Sequence, residues 1–141
     1  MIAIINGPNL NLLGRRQPEI YGCDSFEKVL SNLREKYPLI PIEYYQSNSE
    51  GEIIDHIHKL GYDRPDCKGI IINPGAYTHY SFAIADAIAA IQLPVVEVHI
   101  SNIMAREDFR HTSVTAPYCA GMISGFGAAG YEMALSYLIS R

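Results

Sequence analysis

The sequence holds only three cysteines, and Cys23, Cys67 and Cys119 are odd in number and far apart. That excludes a disulfide framework or a Cys-x-x-Cys pair, and reduced thiols are expected. No apolar run approaches the roughly 20 residues needed to cross a bilayer. The N-terminus also lacks the basic-then-apolar layout of a secretory signal, so a cytoplasmic protein with no membrane partner is expected. Neither a Walker phosphate loop nor a Gly-x-Ser-x-Gly elbow occurs, which removes the commonest nucleotide triphosphate and hydrolase readings. Lysine is scarce. Lys28, Lys36, Lys59 and Lys68 fall on expected helices or ahead of the third strand, which leaves no candidate for a Schiff base. A net charge of -4 and a pI near 5.7 exclude a phosphate-tracking nucleic-acid binder but leave room for a small anionic ligand. Histidines in a metal-binding pattern are missing as well. His56 and His58 lie two apart on an expected helix and point to different faces, so a surface role and no metal site are expected.

What the chain does have is alternation. Its 141 residues, 48% hydrophobic and 18% charged, suit one domain over residues 1–141 with a single sizeable core. Ile2 to Ile5, Ile42 to Gln46, Gly69 to Asn73, Val95 to Ile100 and Gly121 to Ser124 read as short strands. Between them, Phe26, Val29, Leu30, Leu33 and Tyr37 form one helical stripe within Asp24 to Tyr37. Ile53, Ile54, Ile57 and Leu60 form another behind a Ser49 to Glu52 capping box. Ser81 to Gln92 and Ala128 to Ile139 complete the helices. Five strands alternating with helices imply an α/β fold with a parallel sheet covered on both faces. Its simplest form is the doubly wound, flavodoxin-like order 2-1-3-4-5. Gly125, Gly127 and Gly130 spell Gly-x-Gly-x-x-Gly, but no strand follows to hold a ribose-binding carboxylate. A tight turn into a closely packed helix is expected there.

In such sheets ligands bind beyond the carboxyl ends of the strands. The segment from Asn6 to Gly22 is far longer than the roughly 2 to 6 residues usual between strand and helix. It carries Asn9, Arg15, Arg16 and Tyr21, which suits a functional lid over an anionic ligand. After strand three come Asn73, Thr78 and His79; after strand four come Ser101, Asn102, Arg106 and Arg110. Within strand four, Glu97, His99 and Ser101 share a face by two-residue alternation, opposite Val96, Val98 and Ile100. A buried parallel strand should be apolar on both sides, so Glu97 and His99 need a reason. A satisfied core pair is one. Their place on the same rim as two arginine clusters favours chemistry.

At these residues the chain resembles the type II 3-dehydroquinate dehydratases. Asn6-Gly-Pro-Asn-Leu-Asn-Leu-Leu-Gly14 and Arg15-Arg16-Gln-Pro-Glu-Ile-Tyr21-Gly22 look like the family's N-terminal signature. Gln46 to Glu52, Asn73 to His79, Glu97 to Asn102 and Ala105 to Arg110 look like later blocks in the same order. Tyr80, where the family often has threonine, and Ala85, where a basic residue is frequent, depart from the pattern beside the site. The resemblance implies conversion of 3-dehydroquinate to 3-dehydroshikimate by anti elimination through an enolate, in the shikimate pathway, with no cofactor and no metal. It implies Tyr21 as proton acceptor, His99 as proton donor and Arg16 as transition-state stabiliser. Glu97 would orient the imidazole or an arginine such as Arg106, and Asn9 would hold a water on the enolate oxygen. Asn73, Ile100 and Ser101 would take the substrate carboxylate, and His79 and Arg110 its ring hydroxyls.

The resemblance further implies a homododecamer built of trimers, in which Asp86 reaches a neighbour's pocket. The helix from Ser81 to Gln92 agrees, since Asp86 is its only charge and so apolar a helix needs cover on more than one side. Two other classes share the fold. A flavin carrier wants a Ser/Thr-rich phosphate turn after strand one, and a receiver-type module wants acidic residues there; Asn6 to Gly14 offers neither.

Overall fold

Three runs of isoleucine and valine, Ile2–Asn6 (β1), Gly69–Asn73 (β3) and Val95–His99 (β4), are buried along their whole lengths. Strands this apolar need cover on both faces, and the chain returns through an α-helix after β1 and β3 but only through short 3-10 turns after β4. The computed structural model describes residues 1–15, 17–21 and 24–141, and of Tyr21 the backbone only. A single turn, Pro18–Tyr21 (α1), precedes Phe26–Lys36 (α2), Ile42–Gln46 (β2) and Glu50–Asp63 (α3). Phe82–Ala89 (α4) leads into β4, and Gly121–Ser124 (β5) precedes Ala129–Ile139 (α5). All strand pairs are parallel, in the order β2-β1-β3-β4-β5 expected from the sequence.

Alternation divides the interior in two. Ile2, Ile4, Ile71, Val96 and Val98 meet Phe26, Leu30 and Leu33 of α2 and Tyr131, Leu135 and Leu138 of α5. Ala3, Ile5, Ile70, Ile72 and Val95 meet Ile53, Ile57 and Leu60 of α3 and Ile84 and Ile88 of α4. Each fully buried aliphatic side chain contributes about 1.5–3 kcal/mol, so these two layers carry the fold.

The ends of the elements differ in small ways from the sequence reading. Ser25 and Ser49 accept hydrogen bonds from the backbone of Lys28 and Glu52 and start α2 and α3. Glu52, however, accepts from the Ser47 hydroxyl instead of closing a capping box. α4 ends at Ala89, three residues early, because the chain must turn through Pro94 into β4. The segment between β1 and α2 is not bare loop: it holds a 3-10 turn at Leu10–Leu12 and the helical turn α1. Gly125 turns with φ +98°, and a side chain on Gly130 would press on Val98, so the glycine-rich stretch is a tight, closely packed entry to α5.

His56 corrects an expectation. Its ring stacks on Tyr45 at 4.0 Å between centroids, and its side chain is only 12% exposed, because α3 lies against β2 there. Burial lowers its pKa, with the Glu43 carboxylate opposing. His58 is exposed as expected.

Candidate active site

Parallel pairing sets Asn6 of β1 beside Asn73 of β3, so the three central strands end together and present their last residues to one rim. A cavity of about 190 Å³ lies on that rim. His79, His99, Asn73, Arg106 and Arg110 line it, with Asn9, Ile100 and Ser101 closing its sides.

Its centre is the pair on β4. His99 Nε2 lies 2.9 Å from Glu97 Oε2, and Glu97 is completely buried. An imidazole N–H facing a carboxylate donates to it, which leaves Nδ1 as the ring's other nitrogen. Burial alone would raise the Glu97 pKa. The hydrogen bond and charge of His99, with the hydroxyls of Thr115 and Ser113, outweigh burial and hold the carboxyl below its ordinary value. Of the two expected partners of Glu97, the imidazole is the one it meets. Arg106 donates from Nη1 to Ser101 Oγ at 3.2 Å.

The other binding candidates are held from behind. His79 Nδ1 donates to the Thr112 carbonyl at 2.8 Å, which makes Nε2 the free acceptor. Burial pushes the His79 pKa down, against the Thr112 hydrogen bond, with the charges of His99 and Arg110 adding to the effect of burial. Asn73 donates from Nδ2 to the Tyr131 hydroxyl at 3.0 Å and accepts the Gly75 amide at 3.1 Å. Its second N–H remains for a ligand. Tyr131 in turn donates to Asn6 Oδ1 at 2.7 Å, so one phenol joins the ends of β1 and β3. Arg110 pairs with Glu107 at 2.5 Å and lies over the Phe109 ring. Asn9 is left-handed at φ 69°, and its backbone N–H donates to Asn48 Oδ1.

Arg16 and the side chain of Tyr21 lie outside the described residues; the Tyr21 backbone closes α1. Asp86 is exposed on α4 and does not line the cavity of its own chain. Tyr80 is 59% exposed on the same flank, while Ala85 is buried in α4, where a charged side chain would be costly. A second cavity of about 450 Å³ opens between Leu13, Ile20 and Phe26 and the Gly125 turn, and shares Ile100, Ser101 and Arg106 with the first.

Ser113, Thr115 and Tyr131 are site residues that sequence reasoning missed. The run His111-Thr-Ser-Val-Thr115 has no periodicity, and Tyr131 looks like one more apolar position of α5. Among the described residues, no three His, Cys, Asp or Glu side chains converge as metal ligands would.

Known proteins resemble the chain over nearly its whole length. Residues 1–139 match the family model described as dehydroquinase class II. The 3-dehydroquinate dehydratase of Caldicellulosiruptor bescii is 57% identical over 136 residues, covering 95% of this chain and 92% of the relative. That of Clostridium perfringens is 56% identical over 142 residues, covering 99% and 97%. The crystal structure of type II dehydroquinase from Butyrivibrio crossotus superposes with a TM-score of 0.93 at 50% identity, covering 98% of this chain and 96% of that one.

Proposed function

The chain belongs to the class II dehydroquinase family, and on that premise we propose that it is a type II 3-dehydroquinate dehydratase, a lyase of the shikimate pathway. The observation that carries the reading is the buried Glu97–His99 pair opening onto the same cavity as Asn73, His79 and Arg110. A carboxylated ring with several hydroxyls needs donors on several sides and one acid at the leaving group. This rim supplies both.

Tyr21 takes a proton from the carbon beside the ketone. A free phenol titrates near about 10, so the guanidinium of Arg16 is needed to favour the phenolate and to steady negative charge in the transition state. Asn9 holds the water that donates to the enolate oxygen. The enolate then collapses, the carbon–oxygen bond at the ring hydroxyl breaks, and His99 delivers its proton to the departing oxygen, which leaves as water. Because Nε2 is committed to Glu97, Nδ1 is the nitrogen that works, and Glu97 keeps the ring from turning. Asn73, Ile100 and Ser101 take the carboxylate; His79 and Arg110 take the ring hydroxyls.

The protein works in the cytoplasm as a homododecamer of trimers. The outward face of α4 supports the assembly: Phe82 is 69% exposed, with Ala83 and Asp86 beside it. Asp86 completes a neighbour's pocket through Arg110 or the ring hydroxyls. Among the described residues no helix is long and apolar enough to cross a membrane.

Incubation with 3-dehydroquinate should produce the ultraviolet absorbance of the conjugated enone product. A pure, folded oligomer that gives no such rise would overturn the reading.

A further inference from the structure

Behind the Glu97–His99 pair lies a closed set of three hydroxyls on elements to which no role has been given. Ser113 donates to Glu97 Oε2 at 2.8 Å and Thr115 donates to Oε1. Thr78, wholly buried, stands 2.8 Å from Thr115 Oγ1 and 3.1 Å from Ser113 Oγ. The Ser113 oxygen also accepts the Ala116 amide at 2.9 Å, and the Val114 amide donates to the Thr78 carbonyl, so the backbone is tied into the same cluster. With Ser113 and Thr115 both committed to the carboxylate, the Thr78 hydrogen can only point toward one of them. Every hydroxyl proton in the set is then aimed directly or indirectly at Glu97.

We propose that Thr115 and Ser113, with Thr78 behind them, are positioning residues for the reaction: they donate to both oxygens of Glu97 and so keep the carboxylate ionised and fixed in place. The proposal rests on the dehydratase reading of His99 as the acid. Oε1 receives Thr115, and Oε2 receives Ser113 and the imidazole N–H of His99. Three donors on one carboxylate, two of them on Oε2, stabilise the ionised form over the protonated one. The carboxylate is therefore a poor acceptor for the His99 proton, and the imidazole keeps Nε2–H through the cycle and exchanges its proton at Nδ1. The groups facing Glu97 leave this unopposed. His99 donates from its own strand, and His79 stands on the turn after β3 with its pKa pushed down by burial. The Cys119 thiol, below the cluster, is pushed up to about 12 by burial and by the Glu97 charge, and stays neutral.

The test is Thr115→Val beside Thr115→Ser and Ser113→Ala, with two readouts. The first is the titration of the Glu97 carboxyl, followed by its carbon-13 shift. Removing one donor from the carboxylate raises its pKa, so the midpoint should move up by about one pH unit, as expected for one charged hydrogen bond. Thr115→Ser should restore it, and Ser113→Ala should move it the same way as Thr115→Val. The second is the nitrogen-15 spectrum of the His99 ring, which should report Nε2–H in the unmodified protein and a mixture of tautomers in Thr115→Val. A Glu97 midpoint that stays in place, with only the melting temperature lowered, would reduce the cluster to packing. The spectrum needs no turnover. A fixed tautomer in a protein inactive on 3-dehydroquinate would sink the dehydratase reading and spare the clamp, whereas an unchanged tautomer in Thr115→Val overturns the clamp itself.

Discussion

Tyr21→Phe takes away one oxygen and nothing else, and for a positioned acid–base group that is worth about 100 to 10,000-fold in rate. The expected protein is folded and still binds ligand by calorimetry, with turnover at least about 100-fold down; a variant that keeps most of its activity would take Tyr21 out of the base role. Arg16→Lys should be similarly severe, since lysine keeps the charge without the planar fork. Two histidines make stability depend on pH. Burial lowers the pKa of both His56 and His79, so the unfolded chain binds protons that the folded one refuses. Their contribution is complete above the ordinary histidine range near about 6.5 and is lost as pH falls through the depressed values. Urea melts at pH 7.5 and pH 5.5 should therefore show a loss on acidification, and His56→Phe, which keeps the stacking surface on Tyr45, should make that loss smaller. An unchanged difference would show that His56 is not held neutral.

At the scale of elements, the ends of β1 and β3 are joined by a residue of α5. Tyr131→Phe should cost about 1–3 kcal/mol in denaturant melts, because Asn6 and Asn73 are each left with a buried polar atom unpaired. It should also raise KM for 3-dehydroquinate, since the Asn73 amide is no longer held facing the cavity. A normal KM in a destabilised protein would confine Tyr131 to stability.

At the scale of the molecule, the outward face of α4 presents Phe82, Ala83 and Asp86 to solvent in a single chain. Exposed aromatic surface beside a lone acid is what a partner subunit would cover. Light scattering should return a mass many times 15.7 kDa. Asp86→Ala should raise KM in an assembly of unchanged mass, and a fully active monomer would defeat both expectations. Chelators should leave the rate unchanged, and so should borohydride with substrate present. The four lysines lie on α2, on α3 or ahead of β3, and none lines the cavity that holds His99. Inactivation by borohydride only when substrate is present would mean an imine.

The five strands, their order and the rim on which His79, His99, Arg106 and Arg110 gather were all legible in the sequence. Hydrophobic period is a local property, and the handedness of parallel crossovers leaves few topologies for five strands. Glu97 and His99 stood out for the same reason: polar residues inside an apolar strand contradict the pattern around them. Ser113, Thr115 and Tyr131 contradict nothing. A hydroxyl in a loop and a phenol on a buried helical face are ordinary there, and their importance comes from partners that only the folded chain brings within 3 Å, such as Glu97, 16 residues from Ser113, and Asn6, 125 residues from Tyr131. The same holds for His56, whose burial depends on how closely α3 lies on Tyr45. Pattern determined the fold and the edge where the polar side chains gather, because both follow from which residues must leave water. Tertiary structure decided which nitrogen of His99 is free and what holds Glu97, because hydrogen-bond partners remote in sequence are chosen by packing.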